Sequence, residues 1–355
     1  MTTSAARDAG IWRWAAAFAE AVPAAHRLTL GEAATPLVAL PGLAHAIGIE
    51  RLWVKRDDLS AAGSHKARSL AYRISVARAR GEQTLLLSSS GNAAVAASLY
   101  CAAGDVRVLA FVSPDTSPIK LAALRRRGTV IIGTDRPRNL ARYAARVFGV
   151  PNLTPSLDDL SLEGFKTIGY ELHEEVPDAT DFFTFATSGS SFIGAARAAL
   201  HTRWGARLHA VQAGASGQLA GVLDPRFDPA MERSTLAGLL GIDDSPRAED
   251  ARACMTASGG RGWVQTDREI AQAHGWLSDA GVATSAEGAA SVAAVARARC
   301  EGVLDASARA VVLLTGHGSQ WRGATSGDEP VDVDSYMARR AHLAERCGLR
   351  PLERE

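Results

Sequence analysis

Four short segments of this sequence set small residues beside groups able to do chemistry. Gly63-Ser64-His65-Lys66-Ala67-Arg68 puts a lysine at the start of a predicted helix. A lysine amine attacks a carbonyl carbon when its pKa is depressed, and the positive end of a helix disfavours the ammonium form. Ser88-Ser89-Ser90-Gly91-Asn92 follows an apolar run, and its hydroxyls and amide suit a carboxylate and a ring oxygen. Thr187-Ser188-Gly189-Ser190-Ser191 lies between an apolar run and a predicted helix. Backbone N–H groups and hydroxyls in that setting suit a phosphate dianion. Leu314-Thr315-Gly316-His317-Gly318 ends the last strong apolar run, where the Thr315 hydroxyl can lie beneath a planar ring. Each segment alone also has an ordinary structural explanation: a solvated lysine, an N-cap cluster, a small-residue loop, a glycine-rich turn. Neither a Walker loop nor a dinucleotide fingerprint is present.

The elements that must position these segments alternate. Short apolar runs read as strands at Leu52–Lys55, Thr84–Leu87, Val106–Val112, Thr129–Ile132, Phe182–Ala186, Leu208–Gln212 and Ala310–Leu314. Alanine-rich segments read as helices at His65–Arg80, Ala93–Ala103, Ile119–Arg127, Arg138–Phe148, Gly164–Glu175, Phe192–Arg203, Asp267–Ala280 and Ala286–Cys300. Such alternation predicts an α/β architecture, and strands apolar on both faces predict a buried parallel sheet. Residues 221–265 break the rhythm with Pro, Asp, Arg and Gly clusters and read as an irregular or helical excursion over one edge. The tail opens as a polar loop and closes with a predicted helix at Tyr336–Cys347.

Composition narrows the function classes. The chain has 355 residues and a formal net charge of +1, which gives no bulk electrostatic reason for a nucleic-acid or anionic-membrane partner. Cys101, Cys254, Cys300 and Cys347 are far apart without metal-ligand spacing, so no metal site is expected. We expect no signal peptide, no membrane span and a cytoplasmic location.

In combination the segments are specific. The order GSHKAR, SSSGN, TSGSS, TGHG, with LTLGEAATPLVALPGL, WVKRDDLSAAGSHK and LEGFKTIGYELHEE, resembles threonine synthase and its relatives from about Leu28 to about Gly318. The resemblance implies a fold type II pyridoxal-phosphate (PLP) enzyme of the tryptophan-synthase-β class. Two three-layer α/β domains would hold the cofactor in the cleft between them. Residues 88–155 would form the small domain, and residues 1–87 with 156–355 the large one. Homodimers are common in such enzymes.

The resemblance also implies roles. Lys66 would carry PLP and move the substrate α-proton. Asn92 would bond the ring oxygen, and Thr315 would face the pyridine nitrogen. Thr187, Ser188, Gly189, Ser190 and Ser191 would hold the cofactor phosphate. Ser89, Ser90 and Gly91 would receive the substrate carboxylate, with His65, Arg68 and Lys166 nearby. Lys55 and Arg56 read either as further anion binders or as surface charge. His65 stands where the family commonly has Phe, as a packing variant or as an imidazole at the site. Glu287 matches a late acidic position near the ring. A threonine at the pyridine nitrogen, in place of an acid, fits elimination routes better than routes that accumulate charge on the ring.

The chain departs from the family at Asp158-Asp159-Leu160-Ser161, where threonine synthases carry N-P-x-R. Losing that arginine removes a bidentate phosphate donor. The expected substrate is therefore a serine- or homoserine-type amino acid taken through elimination or replacement. The rivals are threonine synthesis from O-phosphohomoserine, serine or threonine ammonia-lyase activity, and a catalytically silent binding protein on the same fold.

Overall fold

The computed structural model describes residues 9–237, 245–318 and 340–352. Two sheets organise the chain. The larger has six strands: β1 (Leu37–Ala39), β2 (Arg51–Lys55), β6 (Asp181–Phe185), β7 (Arg207–Ala213), β8 (Gly262–Gln265) and β9 (Arg309–Leu313). Their spatial order is β1-β2-β9-β6-β7-β8. β1 runs antiparallel to β2, and the other neighbours are parallel. The smaller sheet is parallel, in the order β3 (Thr84–Ser88), β4 (Arg107–Val112), β5 (Val130–Gly133).

Helices cover both faces of each sheet, as strands apolar on both sides require. On the large sheet, one face packs against α1 (Pro41–Ile47) and two later helices, Asp267–Asp279 and Ala286–Cys300. The other face packs against Ser161–Glu175, Ser190–His201 and Ala248–Ala257. On the small sheet, Leu85, Leu87, Val108 and Ala110 meet α2 (Lys66–Ala79) and α3 (Asn92–Ala103). Leu86, Leu109, Phe111 and Ile132 face the opposite way. They meet Pro137–Phe148 and the last helix, Arg340–Cys347. In chain order we number the remaining helices α4 (Pro118–Arg125), α5 (Pro137–Phe148), α6 (Ser161–Glu175), α7 (Ser190–His201), α8 (Gln218–Gly221), α9 (Ala248–Ala257), α10 (Asp267–Asp279), α11 (Ala286–Cys300) and α12 (Arg340–Cys347). The result is two sheets, each between two layers of helices, as the resemblance implies.

Local chemistry sets the boundaries. α1, α4 and α5 each open with proline at the first helical position, where its missing N–H costs nothing. α5 buries Leu140, Ala141, Ala144 and Phe148, a stripe of helical period. α10 opens on a capping box in which the Thr266 hydroxyl accepts from the Glu269 N–H and the Glu269 carboxylate accepts from the Thr266 N–H.

Three expectations change. Residues 221–265 contain a regular edge strand, β8, and the helix α9, so the segment extends the large sheet. Its residues 238–244 lie outside the described residues. β3 pairs within the small sheet, so an expected boundary between residues 87 and 88 falls inside a strand. Of the predicted tail helix, 340–347 is present and packs on the small sheet through Leu343 and Cys347. Its residues 336–339 and the polar loop before them lie outside the described residues.

Candidate active site

Parallel strands bring their carboxyl ends to one edge, and ligands collect there in α/β proteins. β2, β9 and β6 are consecutive neighbours, with Lys55 opposite Leu313 and Thr184 opposite Leu313. The chain after β2 leads to Lys66, the chain after β9 is Leu314–Gly318, and the chain after β6 is the 186–190 loop. Three of the four sequence segments therefore emerge side by side.

Backbone bonds join them. The His65 N–H donates to the Thr315 carbonyl at 3.2 Å, and the His317 N–H donates to the Gly63 carbonyl at 3.1 Å. Ser64 and Gly316 form an isolated bridge. The fourth segment, after β3, reaches the same place: a side-chain carbon on Gly316 would fall 2.7 Å from the Asn92 amide nitrogen. The Ser88 N–H donates to the Thr154 hydroxyl at 2.9 Å, and one residue later the Pro155 carbonyl accepts from the Ser190 hydroxyl at 2.9 Å. The four segments are thus linked in series, the last two through residues 154 and 155.

The chain has four lysines. Lys55 is fully buried and donates to Glu171 at 2.5 Å, Glu175 at 2.6 Å and the Thr35 carbonyl at 2.7 Å. Lys166 pairs with Glu163 at 2.6 Å. Lys120 lies in the field of Glu287, though burial still lowers its pKa. Lys66 has no carboxylate within ion-pair distance among the described residues; its ammonium lies over the Phe165 ring, 5.1 Å from the centroid. Desolvation lowers the Lys66 pKa to about 8. An amine so lowered can act as a base or nucleophile near neutral pH.

His65 stands beside it. Its Nδ1 is 2.7 Å from the Thr315 carbonyl oxygen, and its ring lies 5.5 Å from that of Phe165. Burial lowers the His65 pKa well below its ordinary value, and the Lys66 charge adds to this, against the opposing bond to Thr315. A carbonyl only accepts, so Nδ1 carries the proton in the neutral ring. Nε2 is then a lone-pair acceptor, buried and without a partner among the described residues, as is the Ser64 hydroxyl oxygen.

The 187–191 loop leads into α7 through Gly189, whose φ of +84° is left-handed. No side chain caps this helix, so the N–H groups of its first turn keep their donors. Phe165 of α6 packs with Phe192 and Ile193 of α7, setting this end close to Lys66. The Ser113 N–H donates to the Ser90 hydroxyl and the Gly91 N–H to the Ser89 hydroxyl, fixing the loop that opens α3.

Arg68 is a correction. It lies on α2 two residues after Lys66, which turns it to the opposite side of the helix. It is fully buried and bonds Asp57 through Nε and Nη2, both at 2.8 Å, and Glu171 through Nη1 at 2.7 Å. All its charge is used inside the fold, so it is no substrate ligand. Lys55 shares Glu171, and Arg56 pairs with Asp58 at 2.8 Å, so neither is a surface charge or an anion binder. This network ties β2, α2 and α6 together beneath Lys66. Asp158 pairs with Arg73 at 2.9 Å, while Ser161 is buried and donates to Asp158 at 3.2 Å. No residue from Asp158 to Ser161 is itself cationic. Sequence reasoning missed Phe165, the ring over which Lys66 lies, which became legible only when α6 was placed.

No described helix is long and apolar enough to cross a membrane. Comparison with known proteins places the whole chain. Residues 28–316 match the family model described as "Pyridoxal-phosphate dependent enzyme". Threonine synthase of Mycobacterium leprae (strain TN) is 27% identical over 340 residues, 91% of each chain. Among solved structures, O-ureido-L-serine synthase superposes with a TM-score of 0.70 at 18% identity, covering 86% of this chain and 96% of the other. Threonine deaminase isoform 2 from Solanum lycopersicum gives 0.69 at 19% identity, covering 88% and 83%. At these identities the structural neighbours establish the fold, which is fold type II. With the family model spanning most of its length, the chain belongs to the pyridoxal-phosphate-dependent enzymes.

Proposed function

We propose that this enzyme catalyses elimination or replacement on a serine- or homoserine-type amino acid, with Lys66 holding the cofactor. The observation that carries the reading is Lys66 itself: an amine with no carboxylate at ion-pair distance among the described residues, with its pKa lowered to about 8, where the loops meet. The surroundings fit PLP. Two buried polar atoms beside Lys66, Ser64 Oγ and His65 Nε2, have no partner among the described residues, and no side chain caps the first turn of α7.

When bound, PLP supplies the electron sink that makes the substrate α-proton acidic. The chain's residues do the rest. The Lys66 amine would hold the cofactor and would be the base that removes that proton. Asn92, held against Gly316, orients the ring edge. Thr187 to Ser191 and the α7 N-terminus hold the phosphate. Ser89, Ser90 and Gly91, at the start of α3, receive the substrate carboxylate. The Thr315 hydroxyl would serve the ring nitrogen. Lys166 contributes less than its charge suggests, because Glu163 neutralises it.

The test is product analysis with L-serine, L-homoserine, L-threonine and O-phospho-L-homoserine in turn. A 2-oxo acid with ammonia supports elimination as the net reaction. Threonine with inorganic phosphate supports threonine synthesis, the reading favoured by the M. leprae relative. No turnover of any hydroxylated amino acid or its ester, by a chain saturated with PLP, would remove the proposal.

A further inference from the structure

The family's arginine is missing at Ser161, yet a guanidinium stands close by from another part of the fold. Arg247 precedes α9, and its residue is 7% exposed. Its Nη1 bonds Asp159 at 2.9 Å, and its Nη2 lies 3.5 Å from the Pro155 carbonyl. The same carbonyl accepts from the Ser190 hydroxyl at 2.9 Å, so the guanidinium and the start of α7 share one acceptor. Ser245, two residues before, donates to the Ser188 carbonyl at 2.7 Å, and the Arg247 backbone oxygen lies beside Gly189. Arg247 therefore bridges the 155–159 segment and the 187–191 loop.

Two features separate it from a structural arginine such as Arg68. Its Nε is buried with no hydrogen-bond partner among the described residues. Its carboxylate, Asp159, has a side chain 90% exposed. A buried donor left open costs stability, whereas an ion pair with an exposed carboxylate is weak and exchangeable. The neighbouring α7 end adds uncapped N–H donors.

We infer that Arg247 is a phosphate-monoester receptor, with Asp159 as its resting counter-ion. The guanidinium presents a planar pair of donors that matches phosphate oxygens. An incoming phosphate exchanges for Asp159 and takes up the open Nε. The phosphate belongs either to the cofactor or to a phosphorylated substrate. The inference rests on the reading of this cleft as the PLP site, and its test separates the two.

The experiment titrates the PLP-free full chain with PLP and with pyridoxal, which lacks the phosphate, following absorbance. Wild type is compared with Arg247→Met, Arg247→Lys and Asp159→Asn, each checked for folding by thermal melting. If the cofactor phosphate is the ligand, Arg247→Met weakens PLP about tenfold or more and leaves pyridoxal unchanged. Arg247→Lys recovers part of the loss, and Asp159→Asn tightens PLP by about two- to fivefold, because a competing carboxylate is gone. A purely structural bridge would not tighten when Asp159 is neutralised. If the substrate phosphate is the ligand, PLP affinity holds. The concentration of O-phospho-L-homoserine that shifts the spectrum then rises about tenfold in Arg247→Met, while that of L-homoserine does not. Variants that leave all four ligands unchanged, or that weaken phosphorylated and phosphate-free ligands alike, overturn the inference. A wild type that binds no PLP overturns the reading of the cleft itself.

Discussion

The imidazole Nδ1 of His65 lies 2.7 Å from the backbone carbonyl oxygen of Thr315, joining the segment before Lys66 to the loop after the last strand. This bond fixes the tautomer of a ring whose outer nitrogen, Nε2, has no partner among the described residues. His65→Phe keeps a ring against Phe165 and loses the bond. The Thr315 carbonyl still accepts the His65 N–H, so no orphan is created. We expect a loss of about 0.5–1.5 kcal/mol, read from urea unfolding of the PLP-free chain. Nitrogen NMR should show a neutral ring protonated at Nδ1 at pH 6.5; a ring charged at that pH would contradict the burial argument.

Glu171 links acid stability to the site. Burial would raise its pKa, but Arg68 and then Lys55 outweigh this and hold it at about 2. Its folded pKa lies below the ordinary 4.5, so its contribution is complete above that value and is lost as pH falls toward about 2. Glu171→Gln strips charge from a buried network and should cost about 3–5 kcal/mol near neutral pH. The variant should also lose less stability than wild type between pH 4.5 and 2; equal slopes for the two proteins would count against the assignment.

Lys66 should show its own pH dependence. The rate at which the PLP-free chain condenses with a simple aldehyde at Lys66 should rise with pH and level off above about 8, where the amine is neutral. A rate still climbing toward pH 10 would mean that the site does not desolvate the amine.

Gly316 should matter for the cofactor more than for the fold. A methyl there would push the Asn92 amide, the mobile end of a side chain, away from its position 2.7 Å distant. Gly316→Ala should weaken PLP by about tenfold while changing unfolding free energy by less than about 1 kcal/mol. A large stability loss with unchanged PLP affinity would reverse the interpretation.

Much of this was legible in the sequence because strand and helix periods are local. The seven apolar runs are all strands, within one or two residues at their ends. β1 and β8 were missed because three residues of Leu-Val-Ala and four of Gly-Trp-Val-Gln are too short to show a period. The four loops could be recognised because each follows a strand, and parallel pairing of β2, β9 and β6 then brings three of them together. Side-chain partners were not legible. Arg68 reads as a site cation until Asp57 and Glu171 are placed around it. Arg247 has no motif at all; it meets Asp159 and Pro155 only through the packing of α9 against α7.

The most direct test of the account is covalent. The chain saturated with PLP is reduced with borohydride, digested, and mapped by mass spectrometry. With four lysines in the sequence, the assignment is unambiguous. The account predicts the reduced cofactor on Lys66 and its absence from Lys66→Ala. Label on Lys55, Lys120 or Lys166 in the wild type, or no label at all, would contradict it.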